Sequence, residues 1–317
     1  MKKLSSLCEC VLLACAILLP SCRSGPSAQT GRWVAGSPVA EVNLLGVDLI
    51  DDKNGWAVGD IGVMNGAVLR TTDSGKTWQA VSKTDEILAA VKFISPTRGW
   101  VAGYAGRIQR TDDGGLTWKV QRAEHEGEVL NSVFFLDADR GWAAGGSGLL
   151  LLTIDGGASW EVIPTGRAED FWSVKFVTRD RGLIAGEDGL ILATVDGGRE
   201  WAAQSTGTTR ALLGLAAGAD FAVAVGEKGT ILRSDNSKSW SVIDSGTDET
   251  LNAAGLNGAV CWAVGSRGAT VGSADGGRTW KPAEATLQRD LMSVSISSPV
   301  RGVAVGRRGA VQLLSPE

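Results

Sequence analysis

The chain has 317 residues and a formal net charge of −4, with 43 glycines but a single histidine and a single tyrosine. The many glycines favour tight turns. The scarcity of histidine leaves few groups that exchange protons near neutral pH. The negative charge argues against nucleic acid as the main partner. We therefore expect no nucleic-acid binding and no catalytic role, and we predict neither a metal site nor a cofactor.

Residues 1–22 are typical of a signal peptide, because Lys2 and Lys3 precede an apolar run that reaches Leu19. The run ends in Leu19-Pro20-Ser21-Cys22, which resembles the box at which bacterial lipoproteins are cleaved and lipidated. We predict lipidation at Cys22, followed by a short polar tether over residues 23–31. Cleavage at a second box ending in Cys15 is one alternative, and an ordinary secreted protein is another. No later run is long and apolar enough to predict a membrane span.

From residue 32 onward the sequence repeats every 40 residues or so. Six copies of a pattern end in tryptophan, with Asp five positions before it, Gly three before it and hydroxyl residues around them; the fifth copy, which ends at Trp240, is degraded and has Ser237 in the glycine position. This pattern resembles the Asp-box of bacterial-neuraminidase-type repeats, and its side chains suit a hairpin turn. We therefore assign a structural role to the six aspartates: Asp73, Asp113, Asp155, Asp196, Asp235 and Asp275.

A second pattern, a short apolar strand that ends in Gly-x-x-Gly, occurs seven times, once more than the Asp-box. The last unit stops after its third strand, whereas the first is preceded by an additional strand, Arg32-Trp33-Val34-Ala35. Pairing of these two strands closes a ring and hides two sheet edges. The sequence thus predicts an all-β protein, a seven-bladed propeller of four-stranded blades over residues 32–317, whose last blade is completed by the N-terminal strand.

The alternation of strand direction in such a blade places the Asp-boxes on one face and the Gly-x-x-Gly turns, with the blade-to-blade links, on the other. Only the second face varies from blade to blade, which makes it the better candidate surface. One side of it is basic, with Arg107, Arg267, Arg307 and Arg308, and we call these residues the basic arc. The opposite side is acidic, with Glu169, Asp170, Glu187 and Asp188. This separation of charge predicts an oriented docking surface; scattered solvated charge is the alternative.

Groups suited to catalysis are few. Tyr104 lies in a turn rather than beside a carboxylate, and His125 lies in a link between blades. Cys261 belongs to a buried-strand pattern, which predicts an unreactive thiol. We predict that the protein is not an enzyme. A glycan-binding or sialidase-like module remains the alternative from a different class, and a purely structural role in the cell envelope is a third.

Within this pattern, Arg-Gly-Trp-x-Ala-Gly-x-x-Gly is followed by an apolar strand and Thr-x-Asp-Gly-Gly-x-Thr/Ser-Trp, at residues 98–118 and 140–160. The combination resembles the photosystem II stability/assembly factor family over residues 33–317. The resemblance implies a lumen-facing propeller, a lipoprotein in cyanobacteria, that binds newly made reaction-centre polypeptide through a patch of arginines. The residues in a position to form that patch are Arg107, Arg110, Arg267, Arg307 and Arg308.

We accordingly expect an exported monomer that binds a membrane protein or an assembly intermediate. It would be held by its lipid on a bacterial membrane, facing the periplasm, or the thylakoid lumen in a photosynthetic organism.

Overall fold

The computed structural model describes residues 31–39, 42–62, 65–122, 127–284 and 286–316. The predicted leader with Cys22, residues 23–30 of the predicted tether, and His125 lie outside the described residues. Among the described residues, no helix is long and apolar enough to cross a membrane.

The described residues form seven separate antiparallel sheets of four strands each, which we number as blades in chain order. Blade 1 contains β2 (Asn43–Leu49), β3 (Gly55–Asp60), β4 (Gly66–Thr71) and β5 (Gln79–Thr84). Blade 2 contains β6 (Leu88–Phe93), β7 (Gly99–Gly103), β8 (Ile108–Thr111) and β9 (Lys119–Arg122). Blade 3 contains β10 (Leu130–Phe135), β11 (Gly141–Gly145), β12 (Leu150–Thr153) and β13 (Glu161–Val162). Blade 4 contains β14 (Phe171–Phe176), β15 (Gly182–Gly186), β16 (Ile191–Thr194) and β17 (Ala202–Ala203).

Blade 5 contains β18 (Leu212–Ala217), β19 (Ala222–Gly226), β20 (Ile231–Ser234) and β21 (Ser241–Ile243). Blade 6 contains β22 (Leu251–Asn257), β23 (Val260–Gly265), β24 (Thr270–Ser273) and β25 (Lys281–Pro282). Blade 7 contains β26 (Leu291–Ser298), β27 (Arg301–Gly306), β28 (Val311–Ser315) and the N-terminal strand β1 (Arg32–Ala35). Three-residue 3₁₀ turns join the second and third strands of blades 3 to 7: Gly146–Gly148, Glu187–Gly189, Glu227–Gly229, Ser266–Gly268 and Arg307–Gly309.

The ring closes through the N-terminal strand, as predicted. Strand β1 pairs antiparallel with β28, and Arg32 lies opposite Ser315 while Ala35 lies opposite Gln312. Trp33 is buried there and packs edge-on against Trp262 of blade 6, with 5.6 Å between the ring centroids. The predicted seven-bladed propeller is therefore confirmed. Sheets closed in this way expose fewer strand edges to pairing with other chains.

The Asp-boxes fold the turn between the third and fourth strands. In blade 3, the Thr153 hydroxyl donates to Asp155 (2.8 Å) and accepts from the Gly157 N–H (2.8 Å). Asp155 also accepts from the backbone N–H (2.9 Å) and the hydroxyl (2.6 Å) of Ser159. The Ser159 hydroxyl is the main reason why the pKa of Asp155 falls to about 2. Equivalent bonds surround Asp73, Asp113, Asp196 and Asp275.

The box of blade 5 departs from the predicted alignment. Counting five positions back from Trp240 selects Asp235, but the box bonds are made by Asn236, which pairs with the Ser234 hydroxyl (3.2 Å) and accepts from the Ser239 N–H (3.0 Å). The reason is a turn one residue shorter than in the other blades, which moves the acceptor one position towards the tryptophan. Asp235 was therefore the wrong residue for this role, and it instead accepts from Arg233 (2.7 Å).

Aromatic side chains join successive blades. Trp56 of blade 1 stacks on Phe93 of blade 2, with ring centroids 3.7 Å apart and planes within 5° of parallel. The Trp56 indole N–H donates to the Gly114 carbonyl in the Asp-box turn of blade 2 (2.9 Å). Trp100 and Phe135 repeat this contact between blades 2 and 3. The second strand thus supports the next blade's turn, which explains why the two patterns recur together in the sequence.

The strand order sorts the connections onto two faces. The Asp-box face carries the Asp-boxes and the turns between first and second strands. The link face carries the Gly-x-x-Gly turns and the blade-to-blade links. Arg32 lies opposite Ser315, at the end of the third strand of blade 7, so β1 begins at the Asp-box face.

Candidate functional site on the link face

The Gly-x-x-Gly turns of the link face hold non-glycine residues in a left-handed backbone conformation. Their φ angles lie between 50° and 54°, a region that side chains other than glycine seldom adopt. The residues differ from blade to blade: Ala105, Ser147, Asp188, Lys228, Arg267 and Arg308. Each turn is anchored by a backbone bond to the link that precedes its own blade, as where the Arg307 N–H donates to the Asp290 carbonyl (2.9 Å). The turns thus present different side chains on one rigid scaffold.

Three of the predicted basic-arc residues lie together on blades 6 and 7. The side chain of Arg267 is 76% exposed and pairs with Glu249. Arg307 is 61% exposed and lies 3.9 Å from a carboxylate oxygen of Asp290. Arg308 is exposed, and its backbone N–H donates to the Asn43 side-chain oxygen of blade 1 (2.9 Å). The hydrogen bond from Arg267 to Glu249 raises the pKa of its guanidinium, which stays charged.

Arg289 joins this group, and sequence reasoning missed it. Its guanidinium donates to the Arg308 carbonyl (2.9 Å), which brings it to the blade 7 turn. It lies in the link before β26 and not in a turn, so the repeat pattern gave no signal for it. A count of charged residues in the links, as well as in the turns, would have found it. We call Arg267, Arg289, Arg307 and Arg308 the arginine cluster.

Arg107 lies on the same face but is less available. Its side chain is 17% exposed, and it donates to Asp85 at 2.6 Å. It also belongs to blade 2, so blade 1 separates it from the arginine cluster. The structure thus places Arg107 on the link face as expected, but at the edge of the basic arc.

Arg110 does not lie with the other predicted residues. It precedes Thr111 at the Asp-box end of β8, where it pairs with Asp112 (2.8 Å) and donates to the Gly156 carbonyl of blade 3 (3.3 Å). Its inclusion in one patch with Arg107 was wrong, because β8 carries the chain from one face of the ring to the other. Arg110 supports the next blade's Asp-box turn.

Two cavities border the arginine cluster. One of about 410 Å³ is lined by Asn43, Gln288, Arg289, Asp290, Arg307 and Arg308. The other, of about 370 Å³, lies between the start of blade 1 and the turn around Gly62, and Arg308 borders it too. Arg308 therefore stands between two recesses. Side chains of a bound segment have room there beside a guanidinium.

Carboxylates on the predicted acidic side of the link face accept hydrogen bonds from the backbone of nearby turns and links. Asp170 accepts from the backbone N–H of Ser147 (2.7 Å), and Glu169 accepts from that of Ala168 (3.0 Å). Hydrogen bonding to the Glu169 backbone is the main cause of a lowered pKa for its carboxyl. Glu187 and Asp188 occupy the blade 4 turn. These carboxylates lie on blades 3 and 4, across the ring from the arginine cluster.

The described residues offer little for catalysis. Tyr104 is exposed in its turn and bridges to Val129. Cys261 is 1% exposed, and burial raises the pKa of its thiol to about 12, so the thiolate is scarce near neutral pH. No group of three His, Cys, Asp or Glu side chains in the described part of the chain is arranged to hold a metal ion.

Part of the repeat region is similar in sequence to proteins of known function. Residues 80–169 match the family described as photosynthesis system II assembly factor YCF48. A curated relative from Synechococcus sp. (strain CC9902), named photosystem II assembly lipoprotein Ycf48, is 30% identical over 98 residues, which are 29% of this chain. The match spans 28% of that relative's length. The predicted resemblance to the photosystem II assembly factors is confirmed, and the part of the chain that the family model matches includes blades 2 and 3.

Solved structures share the fold. YCF48 bound to a D1 peptide superposes with a TM-score of 0.75 at 20% identity, covering 92% of this chain and 99% of that one. YCF48 from Cyanidioschyzon merolae gives a TM-score of 0.71 at 19% identity, covering 90% and 99%. At this level of identity the likeness establishes the propeller architecture.

Proposed function

We propose that this protein is a non-enzymatic propeller, tethered to a membrane by a lipid at Cys22, that binds a segment of a membrane protein during its assembly. The observation that carries the proposal is the arginine cluster on blades 6 and 7, in which Arg289, Arg307 and Arg308 line two recesses. The binding segment is expected to be acidic. Photosystem II assembly is the pathway that the resemblance favours.

The chemistry of the cluster supports a carboxylate-bearing partner. A guanidinium presents its N–H groups in a fixed fork that matches a carboxylate. The present partners of Arg267 and Arg307 form exposed ion pairs. Exposed pairs of this kind contribute little to stability, roughly 0–1 kcal/mol. A partner's carboxylates can therefore replace Glu249 and Asp290 in these ion pairs with little loss of folding free energy. The positive electrostatic potential of the cluster also increases the rate at which an acidic partner associates.

The comparisons give this proposal its direction. The curated relative is named an assembly lipoprotein, and one solved relative holds a D1 peptide. An arginine-rich link face and a lipoprotein-like leader are consistent with a membrane-tethered protein that binds a peptide segment during assembly. Export and lipid anchoring belong to the proposal, together with the domain limits 1–22, 23–31 and 32–317 and the monomeric state.

The start of β1 sets the orientation of a tethered protein. Because β1 begins at the Asp-box face, the chain that precedes it joins the ring on that side. The nine residues 23–31 reach at most about 30 Å when fully extended. A lipid at Cys22 would therefore be joined to the ring on the Asp-box side, which favours an orientation in which the link face is presented to the compartment and to a partner's soluble segment.

The test is crosslinking and capture from native membranes, with wild type compared to Arg267→Glu/Arg307→Glu/Arg308→Glu. We expect wild type to capture one membrane protein and the triple variant to lose it while its far-UV spectrum and melting temperature are retained. A matched control, Lys76→Glu/Arg179→Glu/Arg199→Glu, makes the same charge change at exposed positions of the Asp-box face and should still capture the partner.

Two outcomes overturn the proposal. If both triple variants capture the same protein as wild type, the arginine cluster is not the docking site. If neither the wild type nor either triple variant captures a protein, but the wild type binds or cleaves glycans on an array, the glycan-binding alternative is correct instead. Mass spectrometry of the membrane-bound form tests Cys22 separately: an unmodified N-terminus would exclude the lipid anchor.

A further inference from the structure

The central channel of the ring is lined by the first strand of every blade and contains a cavity of about 340 Å³. Corresponding positions of these strands form layers, because each first strand pairs with its second strand in the same register. One layer, towards the Asp-box face, consists of Asp48, Lys92, Phe134, Lys175, Ala216, Gly255 and Ser295. We call it the charged layer, since it holds the three charged side chains of the cavity lining.

Two of its charges neutralise each other. The Lys92 ammonium lies 3.1 Å and 3.2 Å from the two carboxylate oxygens of Asp48. The second of these oxygens also accepts from the Phe93 N–H (2.8 Å), so Asp48 is firmly held. The pair leaves Lys175 as the uncompensated charge of the described channel lining.

Lys175 has no hydrogen bond or ion pair with any described residue. Its ammonium lies 5.6 Å from the ring centroid of Phe134, its neighbour in the charged layer on blade 3. Burial, and to a smaller degree the charge of Lys92, lowers the pKa of Lys175 to about 8, while Asp48 opposes this. The flanking position on blade 5 is Ala216. Lys175 is half-buried in the channel wall, and a cation that is partly removed from water without a counter-charge would be stabilised by a bound anion.

Space for an anion lies on the side of Lys175 away from Phe134. The next two members of the charged layer, Ala216 and Gly255, are too small to fill it. Across the ring, the Ser293 and Ser295 hydroxyls accept from the backbone N–H groups of Val47 (3.2 Å) and Leu49 (3.0 Å). Their own hydrogens meet no acceptor among the described residues and are free to donate into the channel.

We propose that the central channel binds a small monovalent carboxylate at Lys175. The single uncompensated charge matches one negative charge, and the apolar side chains of Phe134 and Ala216 in the positions on either side of Lys175 suit a ligand that also carries a small alkyl group. The ligand is therefore of the acetate class rather than a phosphate. This site lies within the ring and is separate from the arginine cluster, so anion binding at Lys175 can be tested independently of the proposed docking function.

Titration of the protein with sodium acetate against sodium chloride at equal ionic strength tests the proposal, with binding followed by calorimetry. Wild type should bind acetate, and Lys175→Met should bind it about tenfold more weakly or worse, since it loses a charged hydrogen bond. Lys119→Met, at an exposed position of the outer strand β9, is the matched control and should bind as wild type does. Equal affinity in wild type and Lys175→Met, or equal binding of chloride and acetate, overturns the assignment.

A second measurement needs no variant and covers the case in which Lys175→Met fails to fold. The nitrogen resonance of Lys175 reports its pKa directly. Acetate should raise that pKa, because the anion stabilises the charged form, and acetate affinity should fall as the pH rises through about 8, where the ammonium is lost. A Lys175 resonance that acetate leaves unchanged, or an affinity that is the same on both sides of that pH, contradicts the proposal.

Discussion

The two faces of the ring use their turn side chains in opposite ways. On the Asp-box face, the polar groups bond to one another within their own turn, as where Asp155 accepts from Ser159 and Thr153. On the link face, residues such as Arg267 and Arg308 occupy a left-handed backbone and point their side chains outward. The first arrangement repeats because every blade needs the same turn. The second varies because those side chains are not required for folding, which leaves them free to serve binding.

The largest effect is expected where the Asp-box face meets the core. Trp56→Ala should lower the free energy of unfolding by about 3–5 kcal/mol, because it removes a buried indole that stacks on Phe93 and supports the Gly114 turn. Urea denaturation measures this. Trp56→Phe, which keeps a ring but loses the indole N–H, should lose clearly less. A cost below about 1 kcal/mol for Trp56→Ala would mean that the blades do not depend on this contact.

A comparison of Asp275 in blade 6 with Asp235 in blade 5 distinguishes an aspartate that holds its turn together from one that does not. Asp275→Ala should destabilise the protein by about 1–2 kcal/mol, since it removes the acceptor of the Thr279 N–H and hydroxyl bonds. Asp235→Ala loses ion pairs with Arg233 and Arg278 but no bond within the turn, and because Asp235 is 66% exposed the variant should stay within about 1 kcal/mol of wild type. Equal effects in the two variants would contradict the assignment of Asn236 as the box residue of blade 5.

Acid should weaken the Asp-box face selectively. Hydrogen bonds hold the pKa of Asp113, Asp155 and Asp275 near 2, below the usual 3.8. A lowered pKa in the folded state adds stability that is complete above the unfolded value and is lost as the pH falls from about 4 towards 2. The stability difference between wild type and Asp275→Asn should therefore shrink by about 0.5 kcal/mol from pH 6 to pH 3, after allowance for solvent screening. A difference that does not change with pH would exclude this role for the carboxylate.

The smallest effect on stability is expected on the link face. Arg308→Gly stabilises the folded state, because glycine adopts the left-handed conformation of this position without strain. It also raises the conformational entropy of the unfolded chain, so the free energy of unfolding should change by less than about 0.5 kcal/mol. Partner capture should nevertheless decrease, because one guanidinium of the arginine cluster is gone. Arg308→Lys keeps the charge and the backbone strain and serves as the control. A stability loss above about 1 kcal/mol in Arg308→Gly would place Arg308 among the structural residues.

Sequence reasoning succeeded where a feature is repeated and local. The box hydrogen bonds span four residues or fewer, so their spacing is visible in the sequence. It failed where one residue was missing from a repeat, as at Asp235, and where a strand carried neighbouring arginines to different faces, as with Arg107 and Arg110. The tryptophan that ends the Asp-box of blade 2 belongs to the turn itself, because the Trp118 indole N–H donates to the Gly115 carbonyl (3.1 Å) and β9 begins at Lys119.

The sequence by itself determined the number of blades, the closure by Arg32–Ala35 and the position of the turns, because a hydrophobic and glycine pattern repeated seven times admits one way of hiding its sheet edges. Only the tertiary structure decided which charges meet. Arg289 and Arg308 come together through a link and a turn nineteen positions apart, and Lys175 faces a channel whose other walls come from six further strands. Such neighbours depend on the rotation of one blade relative to the next, and no local spacing in the chain encodes that rotation.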